Sequence, residues 1–142
     1  MSAVIGSGGH TEEQAIPQTG IGFLRVMLGL QIALGLLWGI SMLFFARQIV
    51  LTEASGAHIE KIALEGGAHF ALVFGAILIW RAPQRGREVL MVLIFLNALW
   101  TITDLIYVPL LGLTETDFPA KIIVNAVLAI GLFIAGKRAA LL

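Results

Sequence analysis

Val89 to Leu111 reads VLMVLIFLNALWTITDLIYVPLL, and its only charged side chain is Asp104. Hydrocarbon about 30 Å thick is crossed by about 20 mainly apolar residues in a helix. Lipid offers no partner for backbone N–H and C=O groups, so such a segment must satisfy them within itself. Three further stretches have the same character: Ile21 to Ala46, Ile62 to Trp80 and Ala120 to Ala135. The expected fold is therefore all-α, an integral membrane antiparallel four-helix bundle. Its spans are 21–46, 62–80, 89–111 and 120–135 within one domain of residues 21–138, flanked by a tail at 1–20 and a short one at 139–142.

The composition agrees with a membrane solvent. Of 142 residues, 58% are hydrophobic and 13% charged, against roughly a quarter charged in soluble domains, and the mean hydropathy is +0.95. Net charge is zero and no basic run occurs, so the electrostatic footprint of a nucleic-acid binder is missing. There is no cysteine, which excludes disulfides, thiolate metal ligands and thioether-linked haem. The first twenty residues lack the basic start and continuous apolar core of a secretory signal. Their Gly, Ser, Gln and Pro content reads as a flexible tail.

Polar punctuation separates the spans. Gln48 to Lys61 contains Glu53, Ser55, Gly56, His58 and Glu60 and reads as a polar loop, with Ile49, Val50 and Leu51 suited to an interface. Arg81-Ala-Pro-Gln-Arg85-Gly-Arg87 is a short turn in which Pro83 and Gly86 stop the helices. Six basic residues lie on the side of that turn (Arg25, Arg81, Arg85, Arg87, Lys137, Arg138) and three on the other (Arg47, Lys61, Lys121). The positive-inside rule then puts both termini in the cytoplasm, and a bacterial inner membrane is the expected location.

Against this background the intramembrane polar residues stand out. At about 1.5 Å per residue, Glu65 sits about 5 Å and His69 about 10 Å below the outer surface on one helix face. Asp104 reaches about 10 Å from the same side, with Thr101 and Asn97 on its face, and Asn125 about 9 Å with Lys121 above it. Charged groups in lipid cost roughly 2.5–3.5 kcal/mol each at a helix centre, so they should face inward and pair. One reading is structural: Glu65 pairs with Lys121, while His69, Asp104 and Asn125 share hydrogen bonds that fix helix register. The other is a binding site for a small molecule or proton made of Glu65, His69, Trp100, Thr101, Asp104 and Asn125. A single Glu-x-x-x-His on one helix is a weak metal signal, so no metal is expected, and no cofactor or catalytic residue is legible. No Walker, Rossmann or nucleophile-elbow motif occurs.

Small residues suggest close helix contacts. Gly35-x-x-x-Gly39 reads as ordinary helix packing. Gly67, Ala71 and Gly75 form a stripe roughly opposite His69, suited to a neighbouring helix or to another subunit. Trp80 and Tyr107 fit interfacial aromatic belts, whereas Trp100 falls mid-membrane.

Arg81-x-Pro83, Arg87, the apolar run to Thr103-Asp104-Leu-Ile-Tyr107 and the Leu64-Glu65 pair resemble the central hairpin of BphX-like small bacterial four-pass proteins. The Leu24-Arg25-Val-Met-Leu-Gly-Leu opening is similar to DoxX-type proteins. The resemblance covers about half the chain and implies a four-helix membrane bundle. It implies no chemistry, because the BphX-like family has none assigned, while DoxX-type proteins are linked to quinone-coupled sulfur oxidation or redox homeostasis.

Three functions follow from these readings. The first is association, as an accessory subunit of a membrane complex or as a homo-oligomer, the lipid bilayer being the other partner. The second is binding of a quinone-like or other small apolar ligand near Trp100, His69 and Asp104. A proton-coupled transporter using Glu65, His69 and Asp104 as a relay is a third, for which four helices are few.

Overall fold

The computed structural model describes residues 18–46, 56–111 and 118–142. The tail through Pro17, the stretch 47–55 with Ile49, Val50 and Leu51, and residues 112–117 lie outside the described residues, as does the Tyr107 side chain. Among the described residues four α-helices make up the fold: α1 Gln18–Phe44, α2 Gly56–Arg81, α3 Arg87–Leu111 and α4 Phe118–Arg138. Each contains a segment long and apolar enough to cross a membrane, namely Gly20–Phe44, Ile59–Arg81, Arg87–Ile106 and Ala120–Arg138. The described residues contain no strand.

The helices run past the apolar stretches that announce them. α2 begins at Gly56 and not at Ile62, so the second half of the expected 48–61 loop is helical, with Glu60 and Lys61 exposed. Helix formation needs only backbone bonds and tolerant side chains, and Glu and Lys have good helix propensity. Hydropathy marks the part of a helix suited to lipid and is silent about polar turns beyond it. The arginine turn forms as expected: a 3₁₀ turn Pro83–Arg85 follows Ala82, and Gly86 N–H donates to Pro83 O at 3.0 Å. Glu88 in the first turn of α3 complements the positive end of the helix dipole.

α1 packs against α2 and α4, and α3 packs against α4 and, less extensively, α2. Backbones come closest between α1 and α2. A Cβ on Gly66 would lie 2.9 Å from Leu43 N and 3.0 Å from Gly39 O, while one on Gly35 would strike Val73. The Gly35-x-x-x-Gly39 pair is thus used inside the bundle. On the other flank Gly20 lies against the Arg138 carbonyl, and Gly131 against the Met27 side chain. Of the small stripe on α2, Gly75 is covered by Val89 and Leu93, whereas Gly67 has nothing within 4 Å.

The interior is divided along its length. Leu24, Leu28, Ile79, Leu90, Leu93 and Leu132 are fully buried and form the apolar core in the half nearer the arginine turn. The buried polar residues Gln31, His69 and Asn97 lie beyond it. Large apolar side chains cover the outside of every helix, among them Leu37, Phe74, Phe95 and Ile130, each about 60% exposed.

The short C-terminal tail folds back onto the bundle. Leu141 N–H donates to Gly136 O at 2.9 Å and Ala140 N–H to Lys137 O at 3.2 Å, the bond pair of a Schellman cap. Ala140 takes the left-handed conformation, φ 53°, and Ala139 and Leu141 are buried.

Candidate functional site

All four helices contribute to one cavity of about 20 Å³, partly open, lined by Gln31, Gly35 and Trp38 of α1, His69 of α2, Asn97 and Trp100 of α3, and Asn125 of α4. That volume is enough to hold a water. Of the six residues expected from sequence, His69, Trp100 and Asn125 line it.

The cavity wall is aromatic. The His69 ring stacks on Trp100 at 4.7 Å between centroids, 23° from parallel, and on Trp38 at 6.3 Å and 25°. Three helices are joined by this stack, which lies one turn beyond the apolar core. His69 Nδ1 is 2.9 Å from the carbonyl of Glu65, one turn back on the same helix. A carbonyl only accepts, so Nδ1 carries the proton there.

Beneath the stack lie two side-chain amides. Asn97 Nδ2 donates to Gln31 Oε1 at 2.9 Å and to Leu93 O at 2.7 Å. The Leu93 carbonyl fixes which end of the Asn97 amide is nitrogen, and the Gln31 oxygen follows, because two NH₂ groups would repel. Asn97 Oδ1 is then left buried with no hydrogen-bond partner.

The remaining expected residues divide. Thr101 does not reach the cavity: its hydroxyl donates at 2.8 Å to the Asn97 carbonyl on its own helix. Asp104, partly buried, lies within electrostatic reach of Lys121 and Glu65, and Glu65 is exposed. The three charges come from positions one turn past Trp100, one turn before Asn125 and one turn before His69. They gather at the end of the cavity away from the arginine turn.

The expected pairing is not the one formed. No ion pair joins Glu65 to Lys121 among the described residues; the Lys121 ammonium instead sits 5.4 Å from the centre of the Trp38 ring, a cation–π distance. Nor does a hydrogen bond join His69 to Asp104, since the Nδ1 proton is used on Glu65 O. Glu65, His69 and Asp104 form no group able to hold a metal among the described residues.

Gln31, Trp38 and Asn97 belong to the site and were not in the expected set. A signal for the α1 pair existed: Gln31 is the strongest hydrogen-bonding side chain between Arg25 and Ser41, and Trp38 stands seven residues on, on the same face. No family model, curated protein or solved structure matches this chain, and the functional reading rests on this geometry.

Proposed function

We propose that the protein is an integral membrane antiparallel four-helix bundle, N-in and C-in in a bacterial inner membrane, that binds a small, flat, mainly apolar ligand at the aromatic cavity. The observation that carries this reading is the Trp38–His69–Trp100 stack beside buried, incompletely paired amides in an otherwise apolar bundle. Such burial of polar groups is costly in lipid, and apolar walls with a few convergent polar groups characterise ligand sites. The apolar exterior supports insertion, since exposed residues such as Phe74 and Phe95 are at home against lipid tails. The Glu65, Asp104 and Lys121 cluster is the entrance on the outer side, and the ligand ring lies at the open end of the cavity, against the stack. The resemblance to BphX-like proteins is read as shared bundle architecture.

Association is the second reading, favoured by one observation. Gly67 has open space around it and Ala71 is exposed on the same face of α2, which leaves room for the close approach of a helix from another subunit.

Purification from native membranes at low detergent, followed by solvent extraction and mass spectrometry, tests both. An aromatic lipophile retained by the wild type and lost from Trp100→Ala supports the ligand reading. A stoichiometric protein partner with no extractable lipophile would replace it by association.

A further inference from the structure

We infer that the seam between α1 and α2, at the arginine-turn end, holds the phosphate of an anionic phospholipid between Arg25 and Arg81, beside Trp80. This inference is independent of the aromatic cavity and rests only on the membrane-embedded reading above.

Helix register brings these residues together. Contacts between the two helices step along them in opposite directions: Gly39 meets Gly66 and Phe70, Gly35 meets Val73, and a Cβ on Gly29 would lie 3.5 Å from the Trp80 ring. Arg25 stands one turn from Gly29 on the same face. Continuing the register by that turn, about 6 Å, sets Arg25 level with the 3₁₀ turn Pro83–Arg85 that follows Arg81. Arg25, Arg81 and Arg85 are all exposed, and the Trp80 ring bridges the seam against Gly29.

Charge and depth select the partner. Six basic side chains gather at this end of the bundle against one acidic side chain, Glu88, among the described residues. Two of the six, Lys137 and Arg138, rest over the Phe133 and Phe23 rings on the α4 side. Guanidinium groups crowded at one level repel one another until an anion comes between them, and their planar fork matches phosphate oxygens in pairs. Arg25 lies five residues inside the apolar segment Gly20–Phe44, about 8 Å from its start. A long cationic side chain at that depth snorkels toward the headgroup layer. Further along the seam, exposed Leu36 on the Arg25 face and exposed Ile77 one turn before Trp80 offer an apolar wall to an acyl chain. A zwitterionic headgroup would bring a cation of its own into the cluster, whereas an anionic one adds only negative charge.

The test is native mass spectrometry of the full chain in detergent, titrated with phosphatidylglycerol or with phosphatidylcholine of the same acyl chains. Phosphatidylglycerol should bind about fivefold or more tighter, the preference that one basic residue supplies toward an anionic lipid. Arg25→Gln and Arg81→Gln should each weaken phosphatidylglycerol binding about fivefold, while Lys137→Gln, which removes the same charge at the same end but away from the seam, should change it by less than about twofold. Equal binding of the two lipids by the wild type overturns the anionic site. An equal loss in Lys137→Gln overturns it in favour of diffuse surface charge. Displacement of the lipid by an equal concentration of glycerol phosphate, which carries the phosphate without acyl chains, overturns the lipid as the source. The wild-type lipid ratio remains decisive if an arginine variant does not fold. A wild-type chain that stays outside liposomes on reconstitution overturns the membrane reading itself, an outcome distinct from all of these.

Discussion

The side-chain amide of Asn97 on α3 donates to Gln31 Oε1 on α1 at 2.9 Å, joining two helices that do not follow one another in the chain. Interhelical polar bonds within membranes are worth about 0.6 kcal/mol on average and up to about 1.7. A double-mutant cycle of Gln31→Leu and Asn97→Leu should give a coupling energy in that range. The double change should lower the thermal midpoint in detergent by less than the sum of the two single changes, since each single change leaves a buried amide without this partner. Strict additivity would show that the bond contributes nothing.

The α1–α2 crossing depends on Gly66, where an added Cβ meets backbone atoms that cannot turn aside. Gly66→Ala should destabilise the bundle by about 1–3 kcal/mol, the usual scale of overpacking. Gly67→Ala, with open space around it, should stay within about 0.5 kcal/mol. Thermal unfolding of the two neighbours side by side checks the register, and equal effects would refute it.

Phe95 projects outward from the middle of α3, 64% exposed. On a water-facing surface Phe95→Asp would be harmless. In lipid it should cost roughly 2.5–3.5 kcal/mol on insertion scales and reduce the membrane-integrated fraction of the expressed protein. Undiminished integration, measured by alkaline extraction of membranes, would contradict the transmembrane reading of α3.

Topology is tested separately. Single cysteines introduced at Ser55 and Gln84 should differ in labelling by a membrane-impermeant thiol reagent in intact cells, with position 55 labelled and position 84 protected. The reverse pattern would turn the protein over and put the Glu65, Asp104 and Lys121 cluster on the cytoplasmic side.

Ala140 closes the C-terminal cap at φ 53°, a conformation that costs a residue with a Cβ roughly 1–2 kcal/mol and costs glycine little. Ala140→Gly should therefore raise stability by about 1 kcal/mol. A lower thermal midpoint would mean that the cap does not form in the membrane-embedded protein.

The sequence by itself determined the four helices, their order and the inward preference of His69 and Asn97, though not of Glu65, which is exposed. These follow from rules each segment obeys alone: lipid demands a helix about 20 residues long, and a polar side chain is better placed away from it. The arginine turn was equally legible, because Pro83 and Gly86 act on their own neighbours. His69, Asp104 and Asn125 could be placed at one level by counting turns from the helix ends, and of these His69 and Asn125 line the cavity. Only the tertiary structure decided which groups meet. Counting turns gives depth along a helix, but not its rotation about its own axis relative to another, and each residue of register error rotates a face by about 100°. That rotation is set by close approaches such as Gly39 on Gly66 and Gly20 on the Arg138 carbonyl, contacts between residues far apart in the chain. With those contacts in place Gln31 faces Asn97, Trp38 takes Lys121 in place of Glu65, and His69 lines a cavity that no single helix contains.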